Sequence, residues 1–163
     1  MNVRPATAAD LPGILEIYND AVLNTTATYD YEPRTLEHRT QWFEERRRDG
    51  YPVFVAVDAS GRVLGWSALN PFHARFGYRF TSENSVYVAA SSRGQGLGKL
   101  LLPPLIDAAK ARGLHAIIAV IDADNEASIR LHARFGFEKV GHFKQVGFKF
   151  DRWLDVVYMQ RIV

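Results

Sequence analysis

The sequence predicts a single mixed α/β domain over residues 1–163, with a β-sheet flanked by helices, and three observations support this prediction. Apolar residues make up 47% of the chain and charged residues 23%, which are globular proportions and exclude a disordered chain. The length is that of one ordinary domain. In the second half, a strand pattern, a glycine-rich turn, a helix pattern and another strand pattern follow one another, which indicates one central pair of parallel strands.

The first half of the chain predicts two helices and three strands. Thr7 and Asp10 have the character of a helix start, and apolar residues recur after them at helical spacing. Residues 58–61 form a turn signal between two apolar runs, which predicts a hairpin. The expected order is strand 2–6, helix 8–23, a Thr-rich loop at 24–31, helix 36–48, strand 53–57 and strand 62–69.

The second half predicts two further helices and four strands around a glycine-rich turn. Residues 71–81 are irregular and rich in aromatic residues and arginine. The expected elements are strand 85–90, helix 98–112, strand 115–121, helix 125–134 and a final antiparallel hairpin near 138–150 and 153–161.

Composition excludes several functional classes. No apolar run approaches the roughly 18 residues of a membrane span, so we expect no membrane partner. The absence of cysteine removes disulfides, thiolate zinc sites and a cysteine nucleophile, and it is consistent with a cytoplasmic protein. The histidines show no metal-ligand spacing, and we predict no metal. The basic run 46–48 lies between acidic residues, so we interpret it as a solvated helix face and expect no nucleic-acid partner.

The glycine-rich turn at residues 93–98 predicts a phosphate or pyrophosphate site. Residues without Cβ let several N–H groups point inward, and a helix N-terminus directly after them adds partial positive charge. The turn does not fit a Walker A loop, because Arg93 stands at its first Gly position and Leu100 at its Ser or Thr position. It does not fit a dinucleotide fingerprint either, because Lys99 stands at the position of the third Gly. Taken by itself, the turn could also be an ordinary tight turn.

The turn and a second block downstream resemble the signatures of the GNAT N-acetyltransferase superfamily. The motifs are residues 86–88, 93–98, 125–128, 131–132 and 135–137. Residues 26–29, 65–69, 78–80, 83–88 and 128–132 are similar, more narrowly, to the branch of phosphinothricin and methionine sulfoximine or sulfone acetyltransferases. The resemblance covers nearly the whole chain and implies that acetyl-CoA binds between the two central parallel strands.

The resemblance also implies which residues bind acetyl-CoA. Backbone groups of Val86 and Val88 would hold the pantetheine arm, as a peptide adds to a strand edge. The turn would hold the pyrophosphate, and the second block would contact the arm from the other side. The full set of expected cofactor residues is Val86, Tyr87, Val88, Arg93, Gly94, Gln95, Gly96, Leu97, Gly98, Lys99, Asn125 and Ser128.

Three residues are candidates for the chemistry. Glu83 is the predicted base for the substrate ammonium, with a raised pKa, a water relay or both; the alternative is a solvated acid. His132 is the predicted general acid or second base, in a place where this branch has His and much of the superfamily has Tyr; the alternative is a buried helix histidine. The Val88 N–H is the predicted oxyanion donor. Without cysteine, we favour direct transfer over an acyl-enzyme.

The implied substrate is the amine of a small amino acid or analogue, of the phosphinothricin, methionine sulfoximine or methionine sulfone type. Arg75, Tyr78, Arg79 and Glu83 would bind it, with a guanidinium on its carboxylate, although the arginines could also be surface charges. A protein N-terminal or lysine acetyltransferase and a non-catalytic CoA-binding sensor stay open as alternatives. The branch implies a homodimer, and the apolar residues Val146, Phe148 and Phe150, expected on one strand face, support it.

Overall fold

The computed structural model describes residues 1–163, and its centre is one seven-stranded mixed sheet in the order β1-β2-β3-β4-β5-β7-β6. The elements are β1 (Asn2–Pro5), α1 (Leu11–Asn24), α2 (Leu36–Arg48), β2 (Val53–Val57), β3 (Val63–Pro71), β4 (Thr81–Val88), α3 (Leu97–Ala111), β5 (Ala116–Asp122), α4 (Glu126–Arg134), β6 (Glu138–Lys149) and β7 (Arg152–Ile162). The predicted α/β class and the order of its elements are confirmed. None of these helices has the length and apolar character that crossing a membrane would need.

The main error of the sequence prediction lies in β4. This strand was expected over 85–90, but it begins at Thr81 and ends at Val88. Its first residues pair with β3 on one side and with β5 on the other, so ladder hydrogen bonds extend the strand into a segment that has no strand pattern of its own. Glu83 therefore lies inside the strand, not at its entrance.

The predicted parallel pair is β4 with β5, and it is short. Pairing runs only from Thr81, opposite Ala116, to Glu83, opposite Ile118. Beyond this point β4 continues to Val88 alongside β3 alone, and β5 continues alongside β7 alone. The two central strands therefore diverge, and residues 84–88 and 119–122 border an opening in the sheet.

Apolar clusters on the two faces of the sheet fix the helices around this opening. On one face Leu105 of α3 packs with Ile117 of β5, and on the other face Ile14 and Phe43 pack with Trp66. Each such buried side chain contributes about 1.5–3 kcal/mol to folding. As a result α3 and α4 cover one side of the opening, and α1 and α2 cover the other.

The β6–β7 hairpin closes through a two-residue turn, Phe150 and Asp151, with φ values of 52° and 55°. The expectation that Val146, Phe148 and Phe150 share a strand face is correct for Val146 and Phe148 but wrong for Phe150, because β6 ends at Lys149. All three side chains are exposed. The turn conformation breaks the two-residue alternation that the sequence pattern assumes.

Candidate active site

A cleft of about 750 Å³ runs along the opening on the α3 and α4 side. Its walls are the end of β4, the glycine-rich turn with the start of α3, and the first turns of α4. Of the expected cofactor residues, only Gln95 does not line it, because that side chain donates to the Ser91 carbonyl oxygen. The remaining expected residues are thus brought together in one groove.

The strand β4 presents free backbone groups to this cleft. The Ala89 N–H, just after β4, donates to the Leu64 carbonyl oxygen of β3 at 2.9 Å. In an antiparallel pair every second residue bonds to the neighbouring strand, so the backbone groups of Tyr87 and Ser85 also point to β3. The N–H and C=O groups of Val86 and Val88 therefore point away from β3, toward the opening. A ligand arm lying there would meet an unpaired strand edge.

The glycine-rich turn adopts the conformation that anion binding needs. Gly94 and Gly96 have φ values of 77° and 81°, a region that disfavours side chains with Cβ. No heavy atom lies within 4 Å of a Cβ built on either glycine, so the space beside the turn is open. Gly96 is the N-cap of α3 and offers no side chain to the helix N–H groups, which stay available for a ligand.

Close packing of α3 on α4 narrows the cleft. A Cβ on Gly98 would lie 2.6 Å from Leu131 Cδ2, so this glycine lets the two helices approach. Leu97 is buried beneath the turn and anchors it to the core. The cations that line the cleft are Arg93, Lys99, Arg130 and Arg134. Their charge favours a polyanionic ligand.

A second cavity of about 250 Å³ continues from this cleft into the divergence of β4 and β5. It contains Glu83, Asn84 and His132, and it shares Val86 and Ser128 with the cleft. The structure thus brings the two predicted acid–base residues to the inner end of the predicted cofactor groove.

Glu83 lies in this cavity with a half-buried side chain and no cation beside it. Burial removes water from the carboxylate without supplying a compensating charge, and it raises the pKa of Glu83 above the ordinary glutamate range. A carboxylate of this kind is a better proton acceptor than a solvated one.

His132 is 3% exposed, and both of its ring nitrogens are engaged. Nδ1–H donates to the Ser128 carbonyl oxygen at 2.8 Å, which fixes the tautomer, and Nε2 accepts from Asn84 Nδ2 at 2.9 Å. Burial lowers the pKa of His132, against a smaller raising effect of the Ser128 carbonyl. The ring is therefore neutral near pH 7. Asn84 was missed by sequence reasoning, because a polar residue inside a strand pattern gives no signal of its partner.

The opposite wall of both cavities is the loop 25–31, which sequence analysis did not assign to the site. Tyr29 donates to Asp122 Oδ2 at 3.1 Å across the end of β5. The buried Lys149 donates to the carbonyl oxygens of Thr25 and Thr28 at 2.7 and 2.8 Å. The first bond attaches the loop to β5, and the other two attach it to the β6–β7 hairpin. Only the alternation of β6 could have indicated that Lys149 points inward.

Of the predicted substrate residues, only Glu83 lies in these cavities. Tyr78 lies in an exposed single turn of 3₁₀-helix before β4, Arg75 and Arg79 flank that turn, and none of the three lines the cleft or the second cavity. The Arg79 guanidinium lies 4.2 Å from the ring centroid of Phe76 and 4.3 Å from that of Phe80. The structure also contains no group of three His, Asp or Glu side chains arranged to hold a metal.

Comparison with known proteins identifies the fold. Residues 3–158 match the family model described as an acetyltransferase (GNAT) domain. The chain is 52% identical over 159 residues to the L-methionine sulfoximine/L-methionine sulfone acetyltransferase of Pseudomonas paraeruginosa, covering 98% of this chain and 92% of that protein.

Solved structures agree with this match. A ribosomal-protein-alanine N-acetyltransferase from Brucella melitensis is 51% identical, with a TM-score of 0.97 and 100% of both chains covered. A phosphinothricin acetyltransferase from Sinorhizobium meliloti, solved in complex with acetyl-CoA, is 42% identical with a TM-score of 0.97, over 99% of this chain and 88% of that one. The strand opening, the glycine-rich turn and these matches together show that the chain belongs to the GNAT acetyltransferase family.

Proposed function

We propose that this protein transfers an acetyl group from acetyl-CoA to the amine of a small amino acid or analogue, of the methionine sulfone, methionine sulfoximine or phosphinothricin type. One observation carries the proposal: the cavity that contains Glu83 joins the inner end of the groove lined by the glycine-rich turn. The names of the Pseudomonas and Sinorhizobium relatives support the substrate class.

The residues of the cleft fit acetyl-CoA, which supplies the acetyl thioester when bound. The turn at 93–99 meets the pyrophosphate with N–H groups and with the cations Arg93 and Lys99. Backbone groups of Val86 and Val88 bind the pantetheine arm on one side, and Asn125 and Ser128 border it on the other. Tyr87 also borders the cleft, but its backbone groups pair with β3 and its ring stacks on Trp66 with centroids 4.8 Å apart.

Glu83 takes the proton of the substrate ammonium, directly or through one water. Burial raises the pKa of the Glu83 carboxyl and so brings it closer to the pKa of the amine. The Val88 N–H, directed into the opening, donates to the oxygen that gains negative charge. The chain has no cysteine, and transfer proceeds directly to the amine.

His132 acts as a positioning residue in this proposal. Its one proton faces the Ser128 carbonyl, so protonation of the leaving thiolate, the role expected from sequence, would require a rearranged network. In the observed arrangement His132 holds the Asn84 side chain, on the face of β4 opposite to the Glu83 side chain, and connects it through Ser128 to the first turn of α4.

Arg75 and Arg79 remain candidates for the substrate carboxylate, acting from outside the two cavities. We also propose that the protein is a homodimer. At an interface between two copies of the chain, this exposed turn would come closer to a bound substrate. Val146, Phe148 and Trp153 form an exposed apolar surface on the β6–β7 hairpin, with the Phe148 and Trp153 rings 4.9 Å apart. We further propose that the enzyme works in the cytoplasm, where acetyl-CoA is available.

A protein N-terminus is the second candidate substrate, and the name of the Brucella structure favours it. The volume of about 250 Å³ beside Glu83 supports a small molecule instead, because a peptide needs an open groove. A non-catalytic CoA sensor is least supported, since such a protein has no use for a half-buried carboxylate without a cation at the inner end of the groove.

A thiol-release assay on a substrate panel tests the proposal. The panel contains L-methionine sulfone, L-methionine sulfoximine, phosphinothricin, a peptide with N-terminal alanine, and a lysine peptide with a blocked N-terminus. We expect kcat/KM for at least one amino acid to exceed that for either peptide by 100-fold or more. A preference for the alanine peptide would support the second candidate, and no thiol release with any amine would support the sensor.

A further inference from the structure

Arg39 of α2 is a buried cation without a partner. Its side chain is 4% exposed, yet the guanidinium makes no ion pair and no hydrogen bond with the protein, and its Nε is fully buried. The side chain is held by aromatic rings, with its Cζ 4.4 Å from the ring centroid of Tyr18, 4.6 Å from Trp42 and 5.6 Å from Trp66. Rings stabilise the charge through their faces, but they accept none of the five N–H donors.

A third cavity of about 260 Å³ adjoins this guanidinium. Its walls include Trp42, Trp66 and the polar groups Asn70 and Ser85. The one carboxylate in the lining, Asp30, is already engaged by Arg34 and the Tyr18 hydroxyl. Buried charges in proteins are normally paired, so a cavity beside an unpaired guanidinium indicates an acceptor that the chain itself does not provide.

This cavity lies on the same face of β4 as the proposed base. Residues 83, 85 and 87 alternate with Asn84 and Val86, so their side chains point to the α1 and α2 side of the sheet. Ser85 and Tyr87 line both this cavity and the one that contains Glu83. Asn70 Nδ2 donates to Ser85 Oγ at 3.1 Å, and this bond fixes a polar group between the two cavities.

We propose that Arg39 is a specificity-determining residue that binds an oxygen acceptor group of the amino-acid substrate through its free N–H donors, while the substrate amine lies at Glu83. The proposal rests on the proposed function. Two groups of such a substrate have this chemistry, the α-carboxylate and the oxygens at the distal sulfone or phosphinate. The aromatic walls would contact the aliphatic part of the molecule.

The test compares Arg39→Met and Arg39→Lys with the parent on three amines: L-methionine sulfone, L-methionine, which lacks the distal oxygens, and 3-(methylsulfonyl)propylamine, which lacks the carboxylate. Two ratios of kcat/KM are compared, that of the sulfone to methionine and that of the sulfone to the propylamine. We expect Arg39→Met to lower one of these two ratios by about tenfold or more. Loss of the sulfone-to-methionine preference assigns Arg39 to the distal oxygens, and loss of the sulfone-to-propylamine preference assigns it to the carboxylate. Arg39→Lys, which keeps charge but not the planar fork, should recover part of the lost ratio.

Arg47→Met is the matched control, because Arg47 lies exposed on the same helix and pairs only with Glu44. It should change neither ratio. Thermal melting with and without acetyl-CoA shows whether the variants fold, and calorimetric titration of L-methionine sulfone without acetyl-CoA gives a binding constant that does not depend on turnover. An equal loss on all three amines, unchanged ratios, or unchanged sulfone affinity in Arg39→Met would overturn the proposal. A parent that binds the sulfone through Arg39 but releases no thiol would contradict only the proposed function.

Discussion

Asn84 Nδ2 lies 2.9 Å from His132 Nε2, and this hydrogen bond joins the central strand β4 to helix α4 across the inner end of the acetyl-CoA cleft. The bond requires a neutral ring with its proton on Nδ1, which donates to Ser128. Asn84 Oδ1 is buried without a partner. The pair therefore leaves Nε2 as the acceptor in the histidine that the sequence predicts as an acid or second base.

We predict that His132 is neutral in the Nδ1–H form at pH 7–8, because burial lowers its pKa below the ordinary value of about 6.5. Nitrogen-15 NMR of histidine-labelled protein would show the Nε2 signal of an unprotonated acceptor, with titration only at lower pH. A protonated Nε2 at neutral pH would contradict the network and restore the acid role.

Replacing the proposed base should separate binding from chemistry. We expect Glu83→Gln to leave acetyl-CoA binding nearly intact and to lower kcat/KM about 100-fold or more. The deficit should shrink at high pH, where more of the substrate amine is already neutral. In the parent, the acidic limb of the pH profile should lie above the ordinary glutamate pKa of about 4.3, since the base works only when ionised. Full activity across pH in the variant would exclude Glu83 as the base.

The same substitution should stabilise the fold. Burial raises the pKa of Glu83, so the folded state disfavours the ionised carboxylate, and this cost is present at neutral pH. The cost disappears as the pH falls below the unfolded-state pKa. Glu83→Gln should therefore unfold at higher denaturant concentration than the parent at pH 7, and the difference should vanish near pH 4. Lower stability of the variant at pH 7 would contradict this sign.

Two glycines with similar backbones test the role of the turn. Gly96 and Gly113 have φ values of 81° and 70°, and a Cβ on either would meet no atom within 4 Å. Alanine at each should cost about 1–2 kcal/mol of stability through backbone strain. Only Gly96→Ala should weaken acetyl-CoA binding, since only Gly96 lines the cleft. Equal cofactor affinity of the two variants by calorimetry would show that the turn does not contact the ligand.

The proposed homodimer depends on the hairpin surface. We expect light scattering to give a dimer mass for the parent at micromolar concentration and a monomer mass for Phe148→Glu, because a charge at a buried apolar contact opposes association. Leu23→Glu is the control, a comparably exposed apolar position on α1. A dimeric Phe148→Glu variant would place the interface elsewhere. A monomeric parent would contradict the proposed homodimer.

Much of the fold could be predicted from the sequence because its signals are local. The apolar spacing of α1, the Thr35 cap of α2 and the glycine-rich turn each determine structure within a few residues. The extension of β4 back to Thr81 could not be predicted, since it depends on pairing with Ala116, far along the chain. For the same reason the partners Asn84 and Lys149 and the unpaired Arg39 became visible only in three dimensions.

The most direct measurement combines purified protein, acetyl-CoA and L-methionine sulfone, with thiol release followed in time and the product identified by mass spectrometry. The proposed function predicts N-acetylmethionine sulfone in an amount equal to the thiol released, no acetyl group left on the protein, and a rate reduced by about 100-fold or more in Glu83→Gln. Thiol release without an acetylated amine, or an acetylated protein that forms before the product, would contradict direct transfer to a small amino acid in the β4–β5 opening.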